Sequence, residues 1–450
     1  MIVRLLMVRL PILLGAAVLL MGAAGRDLPL VDAARNTDRA AVRALLQKGT
    51  DVNAAEADGT TALHWASHRD DLESADLLIR SGANVNAAND LGATPLWTAS
   101  LNGSAAMVRR LLHAGANPNA ALLLGETPVM VASRSGNPDV VEQLLAKGAN
   151  VNAHAARGQT ALMWAVSQRH PDVVKVLLAH GADVHARSAV WSEVMAVPPH
   201  GLPQYNRSIP HGGDTALMFA ARAGDLASAK LLAEFGADVR DADAWGVSAM
   251  VLAAHSGYDE LVEFLLDRGA DANAAAAGFS ALHVAIMRRD EKLVRVLLAH
   301  GADPNARLRT WTPTRRSSKD FHFAPELVGA SPYWLAARFA ESSVMRLLVE
   351  HGADPLFVHH AEYHTEEGAR PRAETTTALM AAAGMGGGTP WVEIRRAERE
   401  ALSLEAVKVA IELGANVKAA NEEGRTALDS AKSLKYESVV KFLVEQGASR

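Results

Sequence analysis

The sequence predicts an all-α solenoid of about ten to eleven helix-turn-helix units, and three observations carry that expectation. The first is a period: Thr61, Thr94, Thr127 and Thr160 each open a Thr-[Ala/Pro]-[Leu/Val] step at intervals of 33 residues. The phase continues at Thr215, Ser248, Ser280, Ser331, Thr377 and Thr426. A fixed interval of this size marks a repeat array, in which each unit buries its apolar surface against its neighbours. The second is that nearly every unit holds two short apolar runs followed by a glycine at constant offsets. The third is composition: 450 residues, 49% hydrophobic and 21% charged, with no cysteine, so a shared packed core must supply stability without disulfides.

Within the unit Gly158 to His185, Thr160 precedes the run Ala161 to Val166 and suits a hydroxyl cap on the free amides of a first helix. Pro171 opens the second run at a position where its missing amide hydrogen costs nothing. Val173, Val174, Val176, Leu177 and Leu178 give that second helix a wide apolar face. Gly181 then suits a left-handed C-cap, and the Gly-Ala-[Asn/Asp] turn leads into an extended loop. Large apolar residues near the first-helix cap, Trp97, Met130, Met163, Met218 and Met380, read as core. His180, His300 and His351, just ahead of their cap glycines, fit the electrostatics of a helix C-terminus.

These residues resemble the ankyrin repeat. Gly59-Thr-Thr-Ala-Leu-His64, Gly92-Ala-Thr-Pro-Leu96, Leu144-Leu-Ala-Lys-Gly-Ala-Asn150 and Leu297-Leu-Ala-His-Gly-Ala-Asp303 carry the likeness, which extends over about Asp27 to Ser449. The resemblance implies antiparallel helix pairs with hairpin loops projecting from one edge and a concave face. It also implies that partners are bound by hairpin tips and by the last positions of each first helix.

Taken in order, residues 1–25 have the form of a signal peptide. Arg4 and Arg9 precede an apolar run from Leu10 to Met21, and the small residues Gly22 to Gly25 follow. The uncharged stretch between Arg9 and Arg26 is 16 residues and contains Pro11, short of the ~20 a membrane span needs. A periplasmic or secreted protein without stable membrane insertion is therefore expected, and Asn102 and Asn206 open sequons that matter only in a eukaryotic secretory route. Residues 26–450 read as a single solenoid that acts as a monomer, beginning with a degenerate capping unit around Asp38.

Four insertions interrupt the period. Thr160 to Thr215 exceeds it by 22 residues, Ser280 to Ser331 by 18, Ser331 to Thr377 by 13 and Thr377 to Thr426 by 16. The first three, about 188–212, 308–328 and 357–375, enlarge hairpin loops; the fourth, about 384–400, falls between the two helices of its unit. Pro198, Pro199, Pro203 and Pro210 point to a stiff, extended excursion in the first. Loops tolerate such additions cheaply, and function collects in them.

A net charge of -5 gives no bulk basicity toward nucleic acid. No nucleophile elbow, phosphate loop or paired carboxylate appears, so no catalytic residue and no cofactor is expected. Given the family's contact positions, His68, Arg134, Arg222, His255 and Arg338, with Arg69 and Arg288 one place further on, form a basic row near first-helix ends, of which Arg222, His255, Arg288 and Arg338 fall along units six to nine. Trp245 and Phe279 fall at neighbouring hairpin tips, where an exposed aromatic needs a cover. With Trp311, Arg315 and Arg316 of the second insert they make the candidate surface for a protein or peptide, through stacking and bidentate hydrogen bonds. A merely solvated row, or an insert folded onto the scaffold by Trp245 and Trp311, accounts for the same residues. The alternative function is a metal site or enzyme assembled from the inserts, with His359, His360 and His364 as ligands, although adjacent histidines on a strand point apart. An effector exported to a host cell differs in destination alone.

Overall fold

The computed structural model describes residues 28–195, 206–312, 322–364, 372–388, 391–392 and 394–448. The leader at 1–25 and, in the second insert, Arg315 and Arg316 lie outside them. The described residues group into two compact bodies, an N-terminal one of residues 28–189 and 212–238 and a C-terminal one of 190–195, 206–211 and 239–448. Helix pairs build both, as the fold class requires.

In the N-terminal body the first helices are Pro29–Arg35, Ala62–His68, Pro95–Leu101, Pro128–Ser135, Ala161–Ser167 and Ala216–Ala223. The second helices are Arg39–Gln47, Leu72–Arg80, Ala105–His113, Pro138–Ala146, Pro171–Ala179 and Leu226–Glu234. The threonine at the head of the step is the N-cap: Thr94 Oγ1 accepts from the Trp97 amide at 3.2 Å and Thr160 Oγ1 from Met163 at 3.4 Å. Trp97, Met130, Met163 and Met218 are buried, as their periodicity indicates. Asp38 caps the first repeat's second helix by accepting from the Ala41 amide at 3.0 Å.

Neighbouring repeats are tied by side chains that donate to backbone carbonyls across the gap. In the loops, Asn86, Asn119 and Asn152 Nδ2 reach the carbonyls of Gly115, Gly148 and Gly181 at 3.1, 2.9 and 3.0 Å. Asparagine can do this because its Oδ1 simultaneously accepts from the next loop's amide, as when the Asn117 N–H donates to Asn86 Oδ1 at 2.7 Å. At the first-helix ends, Asn102 Nδ2 donates to His68 O at 2.9 Å and Ser135 Oγ to Leu101 O at 2.7 Å. These bonds satisfy carbonyls that a helix terminus leaves free.

The C-terminal body repeats this plan in Ala249–Ser256, Asp259–Asp267, Ala281–Met287, Glu291–Ala299, Pro332–Arg338, Ser342–Glu350, Ala378–Ala382, Arg396–Glu412, Ala427–Leu434 and Glu437–Glu445. The loop ladder crosses the second insert: Asn305 Nδ2 donates to Gly352 O at 2.8 Å. Two inserts form antiparallel hairpins, Trp191–Met195 with Arg207–His211 and Val358–Tyr363 with Arg372–Thr377. The described ends of the first insert are extended and pair with each other, with Pro210 opposite Ser192, while Pro198, Pro199 and Pro203 lie outside the described residues. The fourth insert divides between a loop after Gly384 and an N-terminal extension of Arg396–Glu412, which runs for 17 residues. Among the described residues no helix is long and apolar enough to cross a membrane.

A histidine at one helix cap sets a pH dependence. In the C-terminal body the Ser280 amide donates to His283 Nδ1 at 3.2 Å, so the ring is neutral with its proton on Nε2, which faces Ala306 O at 3.1 Å. Burial pushes the His283 pKa down to about 4. A depressed histidine pKa gives stability that is present above about 6.5 and lost as pH falls through about 4. A drop of about 3 kcal/mol across that window is expected, read as the urea midpoint of the wild type against His283→Gln, which removes the titration.

Candidate functional site

In the N-terminal body, side chains four residues after the N-cap and seven after it form the solvent stripe of the first helices. Arg35 of the first repeat lies over the Trp65 ring of the second at 4.9 Å, and Arg134 of the fourth lies over Trp164 of the fifth at 4.8 Å. A third arginine, Arg222, sits 5.7 Å from the Phe219 ring while its Nη2 donates to Asp214 at 2.8 Å. Stacking a guanidinium on an aromatic face leaves its in-plane donors for a second partner. Trp65 Nε1 donates to Glu56 at 3.2 Å, and His68 meets the Trp65 edge at 5.9 Å with its pKa drawn down by burial and then by Arg69.

Between the two tryptophans the stripe is apolar. Leu101, Leu122 and Trp164 pack, half-buried, against Ala93, Trp97 and Val131. Along the adjacent loop edge Leu91, Leu123 and Leu124 are 64%, 76% and 65% exposed, and the Leu123 amide donates to Leu91 O at 3.0 Å, which puts two neighbouring tips in register. Exposed leucines on adjoining tips next to half-buried indoles have the composition of a docking surface. Reading the repeat alone does not single out Trp65 and Trp164. Their signal is a shared offset, four residues after the cap, where Val131 and Phe219 also stand.

The C-terminal body treats the corresponding positions differently. Phe279, expected as an exposed tip aromatic, is only 6% exposed, a correction with a clear cause. Phe323 of the second insert covers it at a centroid distance of 5.2 Å, and Trp245 lies edge-on to it at 6.2 Å. Trp391 of the fourth insert stacks on Phe323 at 5.1 Å and on His255 at 5.0 Å, and its Nε1 donates to His322 O at 2.6 Å. The cover that folds the insert onto the scaffold is therefore supplied by Phe323 and Trp391, while Trp311 is half-buried nearby in sequence.

Two of the arginines in the expected row hold the fold together. Arg288 Nη1 donates to His255 O at 2.8 Å, the same tie that Asn102 makes in the other body. Arg338 donates from Nε to Gly386 O and Gly387 O at 3.0 and 3.1 Å and from Nη2 to Gly388 O at 3.0 Å, clamping the fourth insert. Gly386 has φ +89°, and a Cβ there would press on Trp334 at 3.0 Å, so the loop can pass only as glycine.

The histidines of the third insert are not gathered. His359 is buried beneath Trp334, with ring centroids 4.2 Å apart, and its Nε2 faces Glu326 O at 3.0 Å; burial lowers its pKa. His360 points to the other side of the strand, its Nδ1 3.0 Å from Thr375 Oγ1. Among the described residues no three histidine, aspartate or glutamate side chains converge as metal ligands.

Stacked helix pairs tied through loop asparagines, with arginines lying over tryptophans of the next repeat on one body, define a repeat protein. The chain belongs to the ankyrin repeat family: models of "Ankyrin repeats (3 copies)" match residues 30–122, 120–188 and 217–308, more than half of the sequence. A model of "Ankyrin repeats (many copies)" matches 162–233. Protein phosphatase 1 regulatory subunit 27 of Mus musculus is 35% identical over 68 residues, 15% of this chain and 44% of that protein, so the match spans less than half of the relative's length. The human ASB11 ankyrin repeat domain is 31% identical over 54% of this chain and 98% of that one, with a TM-score of 0.44.

Proposed function

We propose that this chain is a non-enzymatic scaffold, exported from the cytoplasm and monomeric, that holds a protein or peptide partner against the first-helix stripe and loop edge of its N-terminal body. The observation that carries the reading is the contrast between bodies. In the C-terminal one, Phe323 and Trp391 lie on the aromatics that the repeat pattern marks for contact. In the N-terminal one, Trp65, Leu101 and Trp164 are half-buried with leucine tips exposed beside them. Hot spots concentrate on such aromatic and arginine anchors. The likeness to a protein named a regulatory subunit agrees with binding in place of catalysis.

Capture on the immobilised full chain from its native source tests this. Arg134→Glu with Leu123→Asp, both on the proposed face, should remove at least nine-tenths of the partner recovered by the wild type, whereas Arg288→Gln should retain it. Equal recovery by wild type and the double variant contradicts the assignment. Export is tested by the N-terminus of the mature protein: a start just after Ala24 or Gly25 is expected, and a retained Met1 speaks against it.

A further inference from the structure

We propose that the N-terminal stripe recognises an extended acidic peptide segment, with a carboxylate side chain seated at Arg134 and an uncharged apolar side chain seated about five or six residues away at Trp65. The inference rests on the scaffold reading above and adds the chemistry of the occupant. It begins from a duplication. Arg35 with Trp65 and Arg134 with Trp164 are one arrangement repeated at an interval of 99 residues, three repeats, and the arginine always comes from the repeat before its tryptophan.

The two copies differ in charge. Arg35 is neutralised by Asp32 at 3.1 Å and by Glu56, so its pocket presents an indole beside a closed ion pair. Arg134 has no carboxylate partner among the described residues. Its guanidinium touches the Trp164 ring, and its own carbonyl faces His170 Nε2 at 3.2 Å. The first helices themselves share that sign. From Ala62 to Ala223 the five first helices contain no aspartate or glutamate, while His68, Arg134 and Arg222 lie on them, and only Arg222 is ion-paired. A half-buried guanidinium stacked on an indole, without a carboxylate beside it, is the geometry that a side-chain carboxylate completes through paired N–H donors.

Length follows from spacing. Trp65 and Arg134 stand two repeats apart, and adjacent packed helices lie roughly 8–10 Å apart, so the two steps span about 16–20 Å. An extended peptide advances about 3.3 Å per residue and covers that distance in about five or six residues. Between the anchors the stripe offers Thr98 and Leu101, half-buried over the core residue Val131, which accept small or apolar side chains and hold no charge to match.

The experiment is selection from a displayed library of random 13-residue peptides on the full-length chain, run in parallel on Arg134→Gln and Arg35→Gln. The expected consensus has aspartate or glutamate at one end and an apolar or aromatic residue about five or six positions away. A selected peptide should bind Arg134→Gln at least about tenfold more weakly, as should its own Glu→Gln version on the wild type, with no further loss when the two changes are combined. Arg35→Gln should change affinity less than about threefold. Peptides selected without a carboxylate, or bound equally by Arg134→Gln, overturn the proposal. If no peptide is selected while Arg134→Glu with Leu123→Asp still abolishes partner capture, the acidic-segment chemistry fails and the scaffold reading stands; if that capture is also unaffected, the scaffold reading fails with it.

Discussion

Glu341→Gln is expected to stabilise the C-terminal body by about 3 to 5 kcal/mol at pH 9 and to change it by less than about 1 kcal/mol at pH 5. Glu341 precedes the helix Ser342–Glu350 at the position where Asp71, Asp225 and Asp290 cap theirs, yet its longer side chain makes no cap bond. It is buried, and Oε1 has no hydrogen-bond partner. Burial pushes its pKa up to about 8, with Arg289 opposing and Glu291 and Asp290 adding to the rise. A carboxyl whose folded pKa is raised gives stability that is fully present below about 4.5 and lost as pH rises through about 8. Glutamine keeps the neutral form at every pH, so the variant holds its stability where the wild type declines. Urea titrations of both proteins from pH 5 to 9 provide the check, and parallel curves would show that this carboxyl does not titrate as described. Glu341→Asp should restore the cap and stabilise by about 1 kcal/mol at neutral pH.

Arg338→Met should destabilise the same body by about 3 to 5 kcal/mol. The substitution removes three charge-assisted hydrogen bonds, two from Nε and one from Nη2, and leaves the carbonyls of Gly386, Gly387 and Gly388 facing a methionine. Burial lowers the arginine's proton affinity, and Glu374 and Glu326 support its charge. Because the fourth insert carries Trp391, the loss should appear first in tryptophan fluorescence, as the ring leaves Phe323 and His255. Arg338→Lys should recover less than half, since one ammonium cannot reach three carbonyls in a plane. A residue reserved for a partner would leave stability unchanged, so this variant separates the clamp from the contact role that the repeat pattern gives the same position.

What was legible in the sequence followed from local chemistry. Thr94 and Thr160 cap their helices, Trp97 and Met163 fill the core, and the glycine turns fall where the offsets put them, because each depends on neighbours within a few residues. The partners of the inserts were not legible. Phe279 meets Phe323, and Arg338 meets carbonyls about fifty residues on; such pairings have no period and no local propensity to announce them. Arg288 kept its place in the basic row, yet its bond to His255 O serves the stack. Conversely, the pairing of Arg134 with Trp164 crosses from one repeat to the next and emerges only once the helices are set side by side. His359 shows both sides: alternation along a strand separates it from His360, while its burial under Trp334 depends on a helix more than twenty residues earlier.

The most direct measurement is site-specific photo-crosslinking in the native source, with a benzophenone amino acid placed at Leu101 in one form of the full chain and at Arg288 in another. Leu101 lies midway along the open stripe of the N-terminal body, and Arg288 lies beside His255 at the covered aromatics of the C-terminal one. The account predicts a discrete partner adduct from position 101 and none from position 288. An adduct confined to position 288 would contradict it.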